Sequence, residues 1–262
     1  GQINGTSGYE EAAIQGIIAG ANAALCIKGK DPLVLGRSDA YAGVLVDDLI
    51  TKSTPEPYRM FTSRAEHRLV LRYTNANRRL GVKALECGLI DKPMFSILNK
   101  QVTATDKALF ESNVSVKPNQ VNKKLLRYGG VPIKQKTPLK TLLKRPELLL
   151  ADFMDIAFSN PLVTKPYKDE VLLEADTLIK YSGYIRRTDK QIKKIKSREA
   201  VKLWSQIDYR SIDGLSAESK EKLFSIKPET LGQAMRISGV TPADISVLTV
   251  YVSKHERVSR ET

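Results

Sequence analysis

GQINGTSGYEEAAIQGIIAGANAA, Gly1 to Ala24, runs a loop of glycines and small polar residues straight into a helix-forming stretch. Loops of this composition normally follow a β-strand and turn backbone N–H groups toward an anion where the helix begins. From Tyr9 to Leu25 small residues recur, and Gly16 and Gly20 stand about one turn apart. Each such glycine costs roughly 1 kcal/mol relative to alanine in a helix interior. That cost is reasonable where another backbone packs closely. The stretch therefore predicts the closing βα unit of a nucleotide-binding domain, with its helix buried against a sheet.

The chain has 262 residues, enough for two domains of ordinary size. No apolar run approaches the roughly 18 residues of a membrane span, and no stretch has the pattern of a signal peptide. Cys26 and Cys87 are the two cysteines; Cys26, in an alanine-rich helix, reads as a small core residue. Neither has the setting of a catalytic nucleophile, so no catalytic residue is assigned. The cysteine count gives no disulfide framework, and a cytoplasmic location is expected. With His67 and His255 as the two histidines, no metal site is expected.

The net charge of +13 is unevenly spread. Residues 1–50 carry −3, residues 51–100 +6, residues 101–150 +7 and the remainder +3. An excess concentrated in the middle of the chain points to a localised anionic partner, nucleic acid ahead of a membrane.

Inside that basic middle lies YRMFTSRAEHRLVLRY, Tyr58 to Tyr73, with Arg59, Arg64, Arg68 and Arg72 and no lysine. If its second half is helical, Arg64, Arg68 and Arg72 share a face; if it is a strand, Arg68 and Arg72 do. Arginine suits bidentate phosphate contacts and stacking on bases. Tyr58, Phe61, His67 and Tyr73 interleave with the arginines, as nucleic-acid surfaces require. Glu56 and Glu66 are too few to neutralise four guanidinium groups.

The remainder reads as mostly helical. Residues 28–57 give a loop, a short helix around Ala40–Ile50 and a break at Pro55 and Pro57. Helices are predicted near 94–109, 119–128 and 138–145, and Pro146 is placed to open another over 147–158. A long helix is predicted from about Lys168 to Arg198, with an apolar stripe through Val171, Ala175, Leu178, Ser182, Ile185, Ile192 and Ile195. Its basic end, RRTDKQIKKIKSR (186–198), reads first as a solvated face and second as an RNA contact.

IDGLSAESKEKL (212–223) and ISGVTPADISVL (237–248) echo each other 25 residues apart. Each has an apolar residue, a glycine two later and then Ser216 or Thr241 as a helix N-cap, with Pro242 suited to a first helical position. The pattern resembles helix-hairpin-helix modules, but short helices joined by glycine turns are common, so a small docking bundle is the favoured reading; 201–262 is nearly neutral at +1.

Two longer matches are more specific. GQINGTSGYEEAAIQGIIAGANAA (1–24) and EPYRMFTSRAEHRLVLR (56–72) resemble the paired signatures of the MnmG/GidA family. KYSGYIRR (180–187) and KPETLGQAMRISGVTPADISVL (227–248) resemble that family's C-terminal region, and Ile14 departs from its usual small residue. The resemblance implies a mainly α fold, with helical C-terminal domains attached to the terminal remnant of a Rossmann-like FAD-binding α/β domain. It divides the chain into residues 1–80, closing the FAD domain and carrying the arginine segment, 81–192, a helical domain, and 193–262, a C-terminal bundle. The family's flavin-binding GxGxxG loop and catalytic cysteine stretch are not in this sequence. The chain is therefore expected to be the C-terminal part of a longer enzyme, inactive and unable to hold flavin alone.

By the same resemblance the full enzyme adds a carboxymethylaminomethyl group to C5 of the tRNA wobble uridine. It would use FAD, NADH and methylenetetrahydrofolate, form a homodimer and work with a partner GTPase, MnmE. Gln2 would contact FAD, with Asn4, Gly5 and Gly8 shaping the loop. Arg59, Arg64, Arg68 and Arg72 would line a groove for the tRNA anticodon arm, alongside the lysines of 117–140. A non-enzymatic helical RNA-binding adaptor is the alternative; it does not explain the opening loop and helix.

Overall fold

The computed structural model describes residues 1–52, 56–158, 168–199, 201–204 and 206–261. Pro55 and the side chain of His255 lie outside what is described. Helices dominate: α1 (Tyr9–Ile27), α2 (Tyr41–Thr51), α3 (Ala76–Glu86), α4 (Lys92–Glu111), α5 (Pro118–Arg127) and α6 (Leu139–Leu142). They continue with α7 (Met154–Ala157), α8 (Lys168–Lys180), α9 (Ser182–Glu199), α10 (Ala217–Ile226), α11 (Leu231–Arg236) and α12 (Pro242–Glu261). Among the described residues the extended structure is slight. Strands β1 (Ser115–Val116) and β2 (Thr137–Pro138) pair antiparallel, and isolated bridges join Thr6 to Tyr58 and Lys202 to Thr230. No helix among these residues is long and apolar enough to cross a membrane. The chain forms two compact units, one from Gly1–Arg68 with Asp189–Thr262, the other from Leu69–Thr188.

In the first unit α1 buries a stripe of Glu11, Gln15, Ala21 and Leu25, at spacings of four, six and four that return to one helical face. The opposite side is open. Gly16 and Gly20 are exposed, with nothing within 4 Å of a Cβ added to either, and Cys26 is exposed as well. The expected close packing at the two glycines and burial of Cys26 are thus corrected, because the buried stripe runs along the other face.

Asn22 fastens the following loop: its amide donates to the Leu33 carbonyl at 3.2 Å and its oxygen accepts the Leu33 N–H at 2.6 Å. The loop then presses on α2 where Gly43 has no side chain. A Cβ there would fall 2.1 Å from the Gly36 carbonyl oxygen and 2.6 Å from that of Leu35. Both neighbours are backbone, so Gly43→Ala must displace the 35–37 loop. A loss of about 2 kcal/mol is expected in urea unfolding, within the usual range for overpacking.

The remainder of this unit has its own core of Leu203, Ile207, Tyr209, Ile212, Leu215, Leu223, Leu231, Ala234, Ile237, Leu248 and Val252. Ser216 caps α10 by accepting the Ser219 N–H at 3.2 Å, and the Thr241 hydroxyl accepts the Asp244 N–H at 3.2 Å where α12 begins at Pro242. Both caps stand where the sequence echo put them.

The second unit packs α4, α5, α6 and α8 around Leu125, Leu139, Leu143, Leu148, Leu150 and Phe153, each fully buried. Pro146 does not open a helix as expected. Leu148 is instead carried inward on irregular chain and Leu150 opens a 3₁₀ turn, Leu150–Phe153, that leads into α7; the buried Asp176 carboxylate accepts the Leu150 N–H at 2.9 and 3.2 Å. The long helix predicted over 168–198 is two helices meeting at Tyr181. Ser182 and Gly183, both weak helix formers, follow that junction. α8 buries Val171, Ala175 and Ile179, whereas most of α9 faces solvent.

Candidate functional site

The two most specific sequence motifs meet in the first unit. Gln2–Asn4 forms a 3₁₀ turn closed by Gly5 in the left-handed conformation (φ 82°), which glycine adopts without strain. The Asn4 amide donates to the Gln15 side chain at 3.2 Å, and Gln15 donates in turn to the Thr6 hydroxyl at 2.8 Å. Gln2 is exposed. The backbone then pairs with the second motif: the Tyr58 N–H donates to the Gly5 carbonyl at 2.7 Å.

Gly8 precedes α1, and a Cβ there would lie 1.8 Å from the Glu11 carboxylate. Glu11 folds back over that glycine and accepts the Met60 N–H at 2.9 Å, with the Arg59 guanidinium 3.6 Å away. The Met60 N–H and then Glu11's own N–H hold its carboxyl below the usual range against burial, and Arg59 adds a lesser share. The start of α1, where a helix favours negative charge, is therefore supplied with an anion from within. Nothing in the composition of the loop signalled that.

The arginine segment is neither helix nor strand. Thr62–Arg64 forms one 3₁₀ turn, and residues 66–70 are turns. Tyr58, expected among stacking aromatics, is buried, and its hydroxyl donates to Asp48 at 2.9 Å. Phe61 and Tyr73 are exposed. The Arg64 guanidinium lies 4.6 Å from the Tyr58 ring centroid, and its Nε donates to the Arg59 carbonyl at 2.9 Å. Arg59 and Arg68 are exposed. Arg72 belongs to the second unit, where it pairs with the buried Glu174 at 2.7 Å and donates to the Leu69 carbonyl. The structure thus joins Gly5, Glu11, Arg59 and Arg64, and ties Arg72 into the helical unit.

Sequence reading missed what holds this segment in place. The guanidinium of Arg37, itself buried, reaches Asp48 at 2.6 Å, Asp47 at 3.0 Å and Glu66 at 2.6 Å. Asp47 also takes Arg236 at 2.6 Å, and Asp48 takes Lys52 at 2.7 Å. Burial pushes the Asp48 carboxyl up, but Lys52, Arg37 and Tyr58 outweigh it and hold it below the carboxylate range. Burial likewise works against the Arg37 charge, and Glu66 and Asp48 overcome it. A cavity of about 250 Å³ beside this network is lined by Arg37, Glu66, His67, Ile192, Met235 and Arg236. Three of its charged groups are already paired, which marks it as part of the frame around the arginine segment.

In the C-terminal core, the 3%-exposed Asp244 accepts the Ser216 N–H at 2.8 Å, the Thr241 N–H at 2.9 Å and the Ser219 hydroxyl at 2.8 Å. A Cβ on Gly239 would fall 2.3 Å from the Glu218 carboxylate. A helix-hairpin-helix module needs this turn open to a phosphate; here a carboxylate covers it. Among the described residues no group of three or more His, Cys, Asp and Glu could hold a metal ion.

Three stretches of the chain match known family profiles. Residues 191–262 match a profile for the C-terminal helical bundle of the tRNA modifying enzyme MnmG/GidA, and residues 97–189 match one for its C-terminal helical domain. Residues 1–31 match the profile named Glucose inhibited division protein A. The chain is 47% identical to the tRNA uridine 5-carboxymethylaminomethyl modification enzyme MnmG of Caldicellulosiruptor saccharolyticus, over 99% of this chain and 41% of the relative. Its counterpart in Alkaliphilus oremlandii is 46% identical over 100% of this chain and 41% of the relative. The chain thus spans about two fifths of the length of these relatives. Aquifex aeolicus GidA, in its form II crystal, superposes with a TM-score of 0.78 at 39% identity, covering 96% of this chain and 39% of that one.

Proposed function

Since the chain belongs to the MnmG/GidA family, we propose that it is the tRNA-handling and docking part of an FAD-dependent enzyme. With a partner GTPase of the MnmE type, that enzyme adds a carboxymethylaminomethyl group to C5 of the wobble uridine. The observation that carries this reading is the seam between the opening loop and the arginine segment. One backbone hydrogen bond from Tyr58 to Gly5, and one carboxylate shared by Met60 and Arg59, set the exposed Arg59 beside the loop. A nucleotide held by the arginines would thereby be presented to whatever the loop holds.

The loop suits the uncharged ring portion of FAD better than its phosphates, because the Glu11 carboxylate already occupies the start of α1. Gln2 would contact that portion, with Asn4, Gly5 and Gly8 shaping the loop. Bound FAD supplies redox chemistry, with NADH and methylenetetrahydrofolate as co-substrates. The protein's own residues orient the RNA: Arg59, Arg64 and Arg68 toward phosphates, with Phe61 as a stacking surface. Arg72, already paired with Glu174, contributes by fixing the start of the helical unit. The nearly neutral bundle of α10, α11 and α12, its hairpin turn covered by Glu218, serves protein docking better than RNA contact. The enzyme acts in the cytoplasm as a homodimer.

The test is tRNA binding by the chain as a function of salt. Replacing Arg59 and Arg68 by alanine is expected to flatten the log–log slope by about 1.4–1.8, at roughly 0.7–0.9 per phosphate contact. Wild-type affinity and slope in that double variant would refute the arginine assignment.

A further inference from the structure

The face of α9 that points to solvent has a composition that the arginine segment does not explain. Arg186, Arg187, Lys190, Lys193 and Lys194 are all exposed, and none forms an ion pair among the described residues. At about 100° per residue they span an arc of about 120° on the helix, with Asp189 about 100° from the middle of that arc and Tyr184 about 120° from it on the other side, next to Arg187. Arg186, Lys190 and Lys194 follow at i, i+4 and i+8, so they repel one another along the helix. Asp189, three residues after Arg186 and four before Lys193, is the one acid among residues 186–197. Lys196 does have an acidic partner, pairing with Asp39 at 3.1 Å, but it points away from the cationic face.

The first turn adds an aromatic platform. Tyr184 is 63% exposed and the Arg187 guanidinium sits 5.7 Å from its ring centroid; Tyr181, just before the helix, is also exposed. Successive cations rise by roughly 6 Å for every four residues, comparable with the separation of neighbouring phosphates along an RNA strand. An unneutralised cationic row with an exposed tyrosine beside its Arg187 edge matches a polyanion that carries bases. An acidic protein would use the row but not the tyrosine. The exposed apolar groups beside the row, Tyr181, Tyr184 and Ile195, fall short of the continuous apolar face that a membrane-surface helix buries.

We propose that the cationic face of α9, flanked at Arg187 by Tyr184, is a second RNA-binding element, distinct from the arginine segment, which takes the phosphate backbone of the tRNA. This rests on the tRNA reading above. Arg186, Lys190 and Lys194 neutralise phosphates, and Tyr184 stacks on an unpaired base.

The experiment measures binding of a tRNA transcript to the full chain between about 50 and 200 mM salt. In the triple variant R186Q/K190Q/K194Q the slope is expected to flatten by about 2–3, with affinity at the lowest salt down about tenfold or more. Tyr184→Ala is expected to weaken binding without changing the slope. A control with equal charge loss on exposed lysines elsewhere, K28Q/K30Q/K222Q, is expected to keep the wild-type slope, and circular dichroism to give the same helix content for every variant. A wild-type slope in the α9 triple variant, or an equal flattening in the control, overturns the proposal while leaving the tRNA reading intact. Failure of the wild-type chain to bind tRNA at any salt overturns both.

Discussion

Replacing Arg37 by methionine is expected to destabilise the chain by about 3–5 kcal/mol, the usual cost of removing one member of a buried charge network. Methionine fills much of the same space, so the loss reports charge and not a cavity. Without the guanidinium, Asp48, whose side chain is fully buried, and Asp47 keep their negative charges with fewer partners. Acid identifies the cause. The Asp48 and Glu66 carboxyls are held below their ordinary values of 3.8 and 4.5 in the folded chain. Their contribution is therefore complete above those values and is lost as pH falls through the lower, folded ones. In the variant the carboxylates are stranded, so protonation relieves them. Urea unfolding of both proteins should show a gap of several kcal/mol at pH 7 that narrows steadily toward pH 3. A gap independent of pH would mean that Arg37 acts by packing alone.

Asp244→Ala is the second large effect expected, a loss of about 3 kcal/mol. The Ser216 and Thr241 N–H groups and the Ser219 hydroxyl would lose their shared acceptor, each at a cost of about 1–3 kcal/mol, partly recovered by water and by the Gly239 carbonyl that Ser219 also reaches. Burial pushes the Asp244 carboxyl up, but the Ser216 N–H and the Thr241 hydroxyl and N–H outweigh it, leaving it well below 3.8. Its folded value is depressed, so its stabilisation is present above 3.8 and disappears on further acidification. The wild-type protein should lose stability below about pH 4 more steeply than the variant. Parallel pH profiles would show that Asp244 is not the cap described.

What could be read from the sequence was local. Gly8 before Tyr9, Ser216 before α10 and Thr241-Pro242 before α12 are signals within four residues of the helix start, and each helix begins there. Lost were the interactions set by distant residues. Arg37 looked like part of a featureless loop because its partners lie 10, 11 and 29 positions away, and Arg236 reaches Asp47 across 189. Pro146 was read for a helix start that Asp176, 26 residues beyond Leu150, makes unnecessary. The arginine segment kept both of its periods open because neither applies: Tyr58 is drawn inward by Asp48, and the chain turns around it. The long helix was read as one because its apolar stripe runs on past Lys180 to the buried Ile192, and the break at Tyr181 leaves that spacing almost unchanged.

The most direct measurement is photo-cross-linking with a tRNA that carries a photoreactive uridine at the wobble position, followed by peptide mapping on this chain. Cross-links to residues 1–8 or 56–68, lost on competition with unlabelled tRNA and weakened by Arg59→Ala, are the result expected if the opening loop and the arginine segment form one RNA-facing seam. Specific cross-links that fall wholly within α10, α11 or α12 would contradict it.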